Sequence, residues 1–361
     1  MPLRMAVVGV GHLGKEHARI LSDMPGVELT AVVDCRLDQA RMVADRCRTR
    51  AVTHFRDVLA DIDAAVVAVP TCHHYVVATE LLDAGVHLLI EKPIAATLDE
   101  AERLVQQAKQ KQLILQVGHV ERFNPAFEEL MKLPLQPKFI ECRRYGHFTG
   151  RSIDIGCVMD LMIHDLDLVL ALVRAPVRSV DALGMAPFNE HEEVANARLH
   201  FANGCVASLS ASRLTLAPQR TLHVWGPEGF AGVDLAQRQL TLVQPSRILR
   251  ERGLKPATLD AAARARLKNE LFQQYFDVYH GDHNFGDQLT RELENFVASV
   301  RTRTRPRVSG EDGRDALALA ETILESIRQH AWNGTADGPV GPNDLPRPLG
   351  VLFHPIDSAA A

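Results

Sequence analysis

The residues with the clearest chemical potential are Lys92 and His164. Lys92 stands in Leu88-Leu89-Ile90-Glu91-Lys92-Pro93, directly after a strand-like apolar run. In open parallel sheets, ligands bind at the C-terminal ends of the strands. A lysine held there beside a hydroxyl could polarise the oxygen or relay its proton; the alternative is an exposed loop lysine. Pro93 fixes the chain at this point and admits a cis peptide bond. His164 lies in residues 158–173, where only Asp160, His164, Asp165 and Asp167 are polar. At about 100° per residue, Asp160, His164 and Asp167 fall within an arc of roughly 60°. A surface helix would carry a broader polar face, so this one reads as a buried helix with a narrow polar stripe facing a cavity. Asp160, one turn before His164, is expected to orient the ring and raise its basicity, which makes His164 a general base for a hydroxyl proton. The competing reading is a core histidine satisfied by two acids. No metal is expected, because the cluster lacks a second histidine.

A second constellation addresses a dinucleotide. Gly9-Val10-Gly11-His12-Leu13-Gly14 is G-x-G-x-x-G leaving an apolar run and opening a helical one. Gly9 allows the tight turn, Gly11 lets the backbone approach a pyrophosphate, and Gly14 lets helix and strand pack closely. The helix N-terminus then offers free N–H groups to an anion. Asp34 follows 20 residues after Gly14, where an acid receives ribose hydroxyls. A carboxylate repels a 2′-phosphate, so NAD is preferred to NADP, although Arg36 could grip such a phosphate.

These residues need a frame. Apolar runs at residues 5–8, 29–33, 64–69, 88–90 and 113–117 alternate with helical periodicity at 14–24, 37–46, 74–84 and 98–111. Such alternation implies a parallel sheet with helices on both faces. Beyond about residue 120, strand-like stretches follow one another at 139–144, 177–183, 193–201, 205–212 and 220–225, with a hairpin signal at Ala202-Asn203-Gly204. Helices are expected at 158–173, 259–279, 287–300 and 313–329. The expected class is α/β: a doubly wound parallel sheet over residues 1–120, an α+β domain with a mostly antiparallel sheet over 121–332, and an irregular tail over 333–361.

Composition removes other classes. Lys+Arg 40 against Asp+Glu 45 gives a net charge of −5 over 361 residues, with 46% hydrophobic and 24% charged residues. That excludes a disordered chain, and a mildly acidic chain lacks the basic field that nucleic acid requires. The longest apolar runs are far below a membrane span. Six cysteines lack metal or disulfide spacing, and no signal-peptide pattern opens the chain. Both features read as cytoplasmic.

Together, Gly9-x-Gly11-x-x-Gly14 with His17, Pro70-Thr71-Cys72-His73-His74, Glu91-Lys92-Pro93, Asp160-x-x-x-His164-x-x-Asp167 and the stretch 309–326 resemble the glucose–fructose oxidoreductase/inositol dehydrogenase/MocA family over residues 3–330. The resemblance implies a Rossmann domain, a second domain with a large open sheet, and a homodimer or homotetramer. It puts Lys92 and His164 at the catalytic centre with Asp160 near the substrate, and Pro70, Thr71, His74, Glu91 and Lys92 around the cofactor, where His12 and Leu13 of the glycine turn also fall. Gly118-His119-Val120-Glu121-Arg122-Phe123-Asn124-Pro125-Ala126 resembles the sugar-nucleotide branch, the UDP-N-acetylglucosamine 3-dehydrogenases and related UDP-sugar dehydrogenases. This implies His119, Arg122 and Asn124 as substrate contacts. The alternative is a Glu121–Arg122 linker ion pair and a helix start at Asn124-Pro125. The loop His280-Gly281-Asp282-His283 reads as solvated, with an active-site lid as the alternative, and the basic turn at 301–305 reads as solvated, with a diphosphate contact as the alternative.

Overall fold

The computed structural model describes residues 1–150, 153–188, 190–332 and 339–344. Strand and helix alternate through the first part: β1 (Leu3–Val8), α1 (Gly14–Asp23), β2 (Val27–Val33), α2 (Leu37–Cys47), β3 (Arg50–Val52), β4 (Ala64–Val67), α3 (His74–Asp83), β5 (His87–Glu91), α4 (Leu98–Gln110) and β6 (Leu115–Gly118). The six strands pair in parallel in the order β3-β2-β1-β4-β5-β6. Ala64–Val67 and His87–Glu91 are buried along their whole length, because helices cover both faces of the sheet. The winding reverses between β1 and β4, which opens a crevice at the C-terminal strand ends. β3 has only three residues, none of them fully buried, so no apolar run announced it.

The second part comprises α5 (Pro125–Lys132), β7 (Phe139–Tyr145), a π turn (Val158–Met162) running into α6 (Ile163–Val173), β8 (Val177–Ala186), β9 (Val194–Phe201), β10 (Val206–Ser212), β11 (Gln219–Gly226), β12 (Gly229–Asp234), β13 (Gln239–Pro245), α7 (Arg247–Arg252), α8 (Ala261–Glu270), β14 (Phe276–Asp282), α9 (Gln288–Thr302), α10 (Gly310–Gln329) and β15 (Asn343–Asp344). Its nine-stranded sheet has the order β14-β13-β12-β11-β7-β10-β9-β8-β15. It is antiparallel except where β7 meets β10 and β8 meets β15. One face is closed: Ile140, Cys142, Leu209 and Leu222 pack against Met162, Ile163 and Leu166. The intervening residues stay partly exposed, so these strands alternate as an antiparallel sheet with one covered face should. The β9–β10 hairpin turns at Gly204, whose φ is +82°.

Three expectations are corrected. Residues 259–279 do not form one helix. α8 ends at Glu270, a π turn occupies Leu271–Tyr275, and β14 follows, paired to β13. His280, Gly281 and Asp282 therefore lie in a strand rather than a solvated loop. Phe276, Val278 and His280 alternate with Asp277, Tyr279 and Gly281, and pairing with an open sheet edge outweighs local helix preference. In the tail, Asn343 and Asp344 pair with Met185 and Ala186; residues 333–338 and 345–361 lie outside the described residues.

The last helices return across the molecule. Leu293, Phe296 and Val297 of α9 share a core with Met5 and Val7, and Val308 and Leu317 join Val117. Ala316 and Ile323 of α10 belong to the core under the second sheet. The change of sheet near residue 120 is thus bridged by one long helix, started by a capping box between Ser309 and Asp312. No described helix is long and apolar enough to cross a membrane.

Candidate active site

Lys92 follows β5 directly, and the Lys92–Pro93 peptide is cis. Its Nζ donates to the Asp160 backbone carbonyl at 2.7 Å and to Asp160 Oδ1 at 3.4 Å. The ammonium is thereby drawn from the parallel sheet onto the π turn that precedes α6. Lys92, Asp160 and His164 line one cavity of about 720 Å³, walled on one side by Leu13 and Thr71 and on the other by residues of the second sheet. That volume is in the range of small-molecule sites. Two groups some seventy positions apart in the chain thus converge at the crevice.

His164 is enclosed. Its Nδ1 is buried without a hydrogen-bond partner, and the His119 ring meets it edge-on with centroids 6.2 Å apart. Burial first, then the charges of Lys92, Arg144 and His119, hold its imidazolium pKa well below the ordinary value. The ring is therefore neutral at pH 7, with a lone pair available. The sign for stability follows. An unfolded histidine takes a proton near pH 6.5, whereas this folded ring takes one only at lower pH. The unfolded chain binds more protons in between, so stability rises with pH through that window and falls on acidification. Buried His74 and His119 are lowered in the same direction. The raised Glu292 carboxyl acts with the opposite sign, so the check is made in Glu292→Gln: there the urea midpoint is expected to drop steadily from about pH 7 to about pH 5, and a midpoint constant over that range would contradict neutral rings.

Asp160 does not orient His164. Its carboxylate faces Lys92 and, at 3.6 Å, Arg213, and positive neighbours lower the basicity of the histidine instead of an acid raising it. The cause is the π turn, which inserts an extra residue and takes the carboxylate out of register with the ring. Asp167 leaves the stripe as well. It accepts two hydrogen bonds from Arg122, at 2.7 and 3.1 Å, and the pair lines a different cleft of about 790 Å³. Arg122 is thus not in the Lys92–His164 cavity. Asn124 is fully buried, caps α5 through Ala126 N, and donates to Glu121 and Leu235. It has no face toward the cavity and serves as the helix start. Glu121 pairs with Arg144 rather than Arg122. His119 touches the site only through His164.

On the sheet side, the Gly9 N–H donates to the Val33 carbonyl, and Val10 N donates to Asp34 Oδ2 at 3.1 Å. Arg36 N donates to Asp34 Oδ1 at 3.0 Å. The glycine turn and the end of β2 are therefore held together, just outside the cavity. Pro70, Thr71, His12 and Leu13 line its wall. One His74 ring nitrogen lies 2.8 Å from Pro93 O and the other 2.9 Å from Val69 O; the neutral ring has one N–H and donates to one of the two carbonyls, beside both loops. Below Lys92, Glu91 meets His17 Nε2 at 2.7 Å. Burial works against the Glu91 charge, but His17 and Lys92 outweigh it and hold the carboxyl below its ordinary value. Glu292 lies beside this pair, fully buried with both oxygens unpartnered. Burial, with Glu91 and Asp167 nearby, pushes its carboxyl well above the ordinary range.

Which glycines of the turn have room for a side chain is a test of fit for a dinucleotide. A Cβ on Gly14 would lie on the Gly9 carbonyl oxygen, and one on Gly9 would crowd Ala68 at a φ of +87°. A Cβ on Gly11 meets nothing within 4 Å, so packing does not require glycine there, whereas close approach of a ligand would. Residues 3–119 match the model of an oxidoreductase family with an NAD-binding Rossmann fold, and residues 134–231 match the Gfo/Idh/MocA C-terminal domain. UDP-N-acetylglucosamine 3-dehydrogenase of Acidithiobacillus ferrooxidans is 33% identical over 328 residues, covering 90% of this chain and 97% of that one. The chain belongs to the Gfo/Idh/MocA oxidoreductase family. A crystal structure of that A. ferrooxidans enzyme superposes with a TM-score of 0.79 at 32% identity, covering 90% of this chain and 98% of the other. Myo-inositol 2-dehydrogenase of Thermotoga maritima is 24% identical over 91% of this chain and 97% of its own. Levoglucosan dehydrogenase in complex with NADH shares the fold, with a TM-score of 0.75 at 18% identity over 90% of this chain and 97% of that one. As a Gfo/Idh/MocA protein, the chain is an NAD-binding oxidoreductase.

The family motifs leave the far wall of the cavity unnamed. Arg144, Arg213 and Arg220 form it. One signal was available: Ile140, Cys142 and Arg144 share a face of β7, so a charge stands in an otherwise apolar series.

Proposed function

We propose that this protein uses NAD to oxidise a secondary hydroxyl of a sugar nucleotide, with the 3-hydroxyl of UDP-N-acetylglucosamine as the specific substrate group. The product would be a 3-keto sugar, for later amination into envelope amino sugars such as those of lipopolysaccharide. The observation that carries the reaction class is the convergence of Lys92 and neutral His164 on one cavity at the β-strand ends. The relative at 33% identity, matched over 97% of its length, supports the substrate.

In this reading Gly9, Gly11 and Gly14 seat the pyrophosphate, Asp34 receives the ribose hydroxyls, and Pro70, Thr71 and Glu91 flank the nicotinamide. NAD, when bound by these residues, would supply the hydride acceptor for the carbinol carbon. His164 accepts the hydroxyl proton, since its ring is neutral and lines the cavity. The Lys92 ammonium donates to the oxygen as negative charge develops there. Asp160 fixes the ammonium through its backbone carbonyl and so acts as a positioning residue. The second sheet holds the sugar against these groups, which converts an encounter into an oriented reaction. The free cysteines support a cytoplasmic setting.

NADH fluorescence with UDP-N-acetylglucosamine, a UDP-sugar acid, myo-inositol and free N-acetylglucosamine tests the proposal. Turnover highest on UDP-N-acetylglucosamine is expected. Preference for a neutral polyol would overturn the substrate, and no NADH with any of the panel would overturn the activity. The T. maritima relative makes inositol the reading to beat.

The cofactor assignment has its own check. Gly11→Ala is expected to leave stability within ~0.5 kcal/mol yet weaken NAD binding by about tenfold or more, because a methyl group would occupy the pyrophosphate approach. Gly14→Ala is expected to cost about 1–3 kcal/mol through overpacking. Fluorescence titration and urea unfolding separate the two, and an unchanged NAD affinity in Gly11→Ala would remove the turn from the cofactor site.

A further inference from the structure

We infer that Arg220 is the residue that binds the anionic portion of the substrate, a nucleoside diphosphate, and so decides between a sugar nucleotide and a neutral polyol. The inference rests on the function proposed above and adds the group that would recognise the diphosphate.

Four cationic side chains line the cavity: Lys92, Arg144, Arg213 and Arg220. Three are already committed. Lys92 is held by Asp160. Arg144, buried, donates to Asp165 at 2.7 Å and to Glu121 at 2.8 Å. Arg213 forks onto Glu193 at 2.6 and 2.8 Å and approaches Asp160. Arg220 is exposed, and its guanidinium makes no hydrogen bond or ion pair with any described residue. Asp154, the acid on the facing wall, does not pair with it.

Its backbone is nevertheless fixed. Arg220 stands in β11 opposite Arg144 of β7, and it shares a face with buried Leu222 and Val224, the face covered by α6. The neighbouring rim is closed by Gly146 N to Ser212 O and Thr215 N to Gly146 O. A guanidinium on a fixed backbone with its five donors free is suited to bidentate phosphate recognition. It belongs to the second sheet, whereas the dinucleotide's own phosphates have the glycine turn on the first sheet. A sugar ring at Lys92 and His164 would share its cavity with the wall that carries Arg220, within which an anomeric diphosphate could be met. Inositol and free sugars have no charge for this side chain to meet.

Arg220→Ala and Arg220→Lys are compared with the wild-type enzyme in steady-state turnover of UDP-N-acetylglucosamine, with UDP as competing probe and NADH binding followed by fluorescence. Arg220→Ala is expected to raise KM for the sugar nucleotide and weaken UDP inhibition by about 10- to 100-fold, the worth of hydrogen bonds to a charged group. On the alkaline side of the His164 acid limb, which Arg220 also helps to set, kcat, NADH affinity and the unfolding midpoint should stay close to wild type, and Arg220→Lys should recover part of the loss. If the wild type turns over UDP-N-acetylglucosamine and Arg220→Ala matches it in KM and UDP inhibition, the inference falls while the proposed function stands. If the wild type rejects both UDP-N-acetylglucosamine and UDP but oxidises myo-inositol, the functional reading itself falls and takes this one with it.

Discussion

Lys92→Ala is expected to lower kcat by about 10²- to 10³-fold, the usual cost of removing one preorganised donor to a developing oxyanion. NAD binding should remain detectable, because the glycine turn and Asp34 are untouched. The side chain is only 14% exposed and is bound to the Asp160 carbonyl, so its charge is held in place before any substrate arrives. A second signature distinguishes this role from a general loss of structure. Lys92 is one of the charges that push the His164 imidazolium down. Without it, the histidine takes a proton at higher pH, and the acid limb of the residual kcat should move toward neutrality. Near-native kcat in Lys92→Ala would refute the assignment. So would an unmoved acid limb, since it would place His164 beyond the influence of Lys92.

Arg144→Leu should be the most destabilising single substitution near the site, costing about 3–5 kcal/mol in urea unfolding. Arg144 is 3% exposed and bridges Glu121 and Asp165, themselves 5% and 2% exposed. Deleting the cation leaves two buried carboxylates without their hydrogen-bonded counter-charge, with only the more distant Arg220 charge acting on them. Burial raises the Asp165 carboxyl above its ordinary value even with Arg144 present, whereas for Glu121 the arginine outweighs burial and holds the value low. Adding Glu121→Gln and Asp165→Asn to Arg144→Leu should therefore recover much of the loss, as neutral groups of the same shape need no cation. A deficit of less than about 1 kcal/mol in the single variant would mean that water reaches this cluster.

The reading of the chain succeeded where chemistry is encoded at short range. Gly9, Gly11 and Gly14 need only each other and the adjoining strand. Lys92 is placed by the apolar run that ends beside it, and the hairpin at Gly204 by three consecutive residues. It failed where a partner comes from elsewhere. Asp160 was assigned to His164 because a regular helix makes them neighbours, but a π turn and a lysine 68 positions away took the carboxylate. Arg122 and Asn124 were polar groups in the right segment, yet Asp167 holds one and a helix cap the other. β14 was hidden because its ordering comes from β13 rather than from its own residues.

The amino-acid order alone determined the winding of the first sheet, the dinucleotide turn and the identity of the amine and imidazole that carry the proposed chemistry. Each depends on steric and periodic rules that act within a few residues. The tertiary structure decided which charges neutralise one another: Arg144 with Glu121 and Asp165, Arg213 with Glu193, His17 with Glu91. It thereby decided that the His164 ring is held neutral and that the Arg220 guanidinium pairs with no described residue. Ion pairing in a low-dielectric interior depends on distances across sheets, and no spacing along a chain contains those distances.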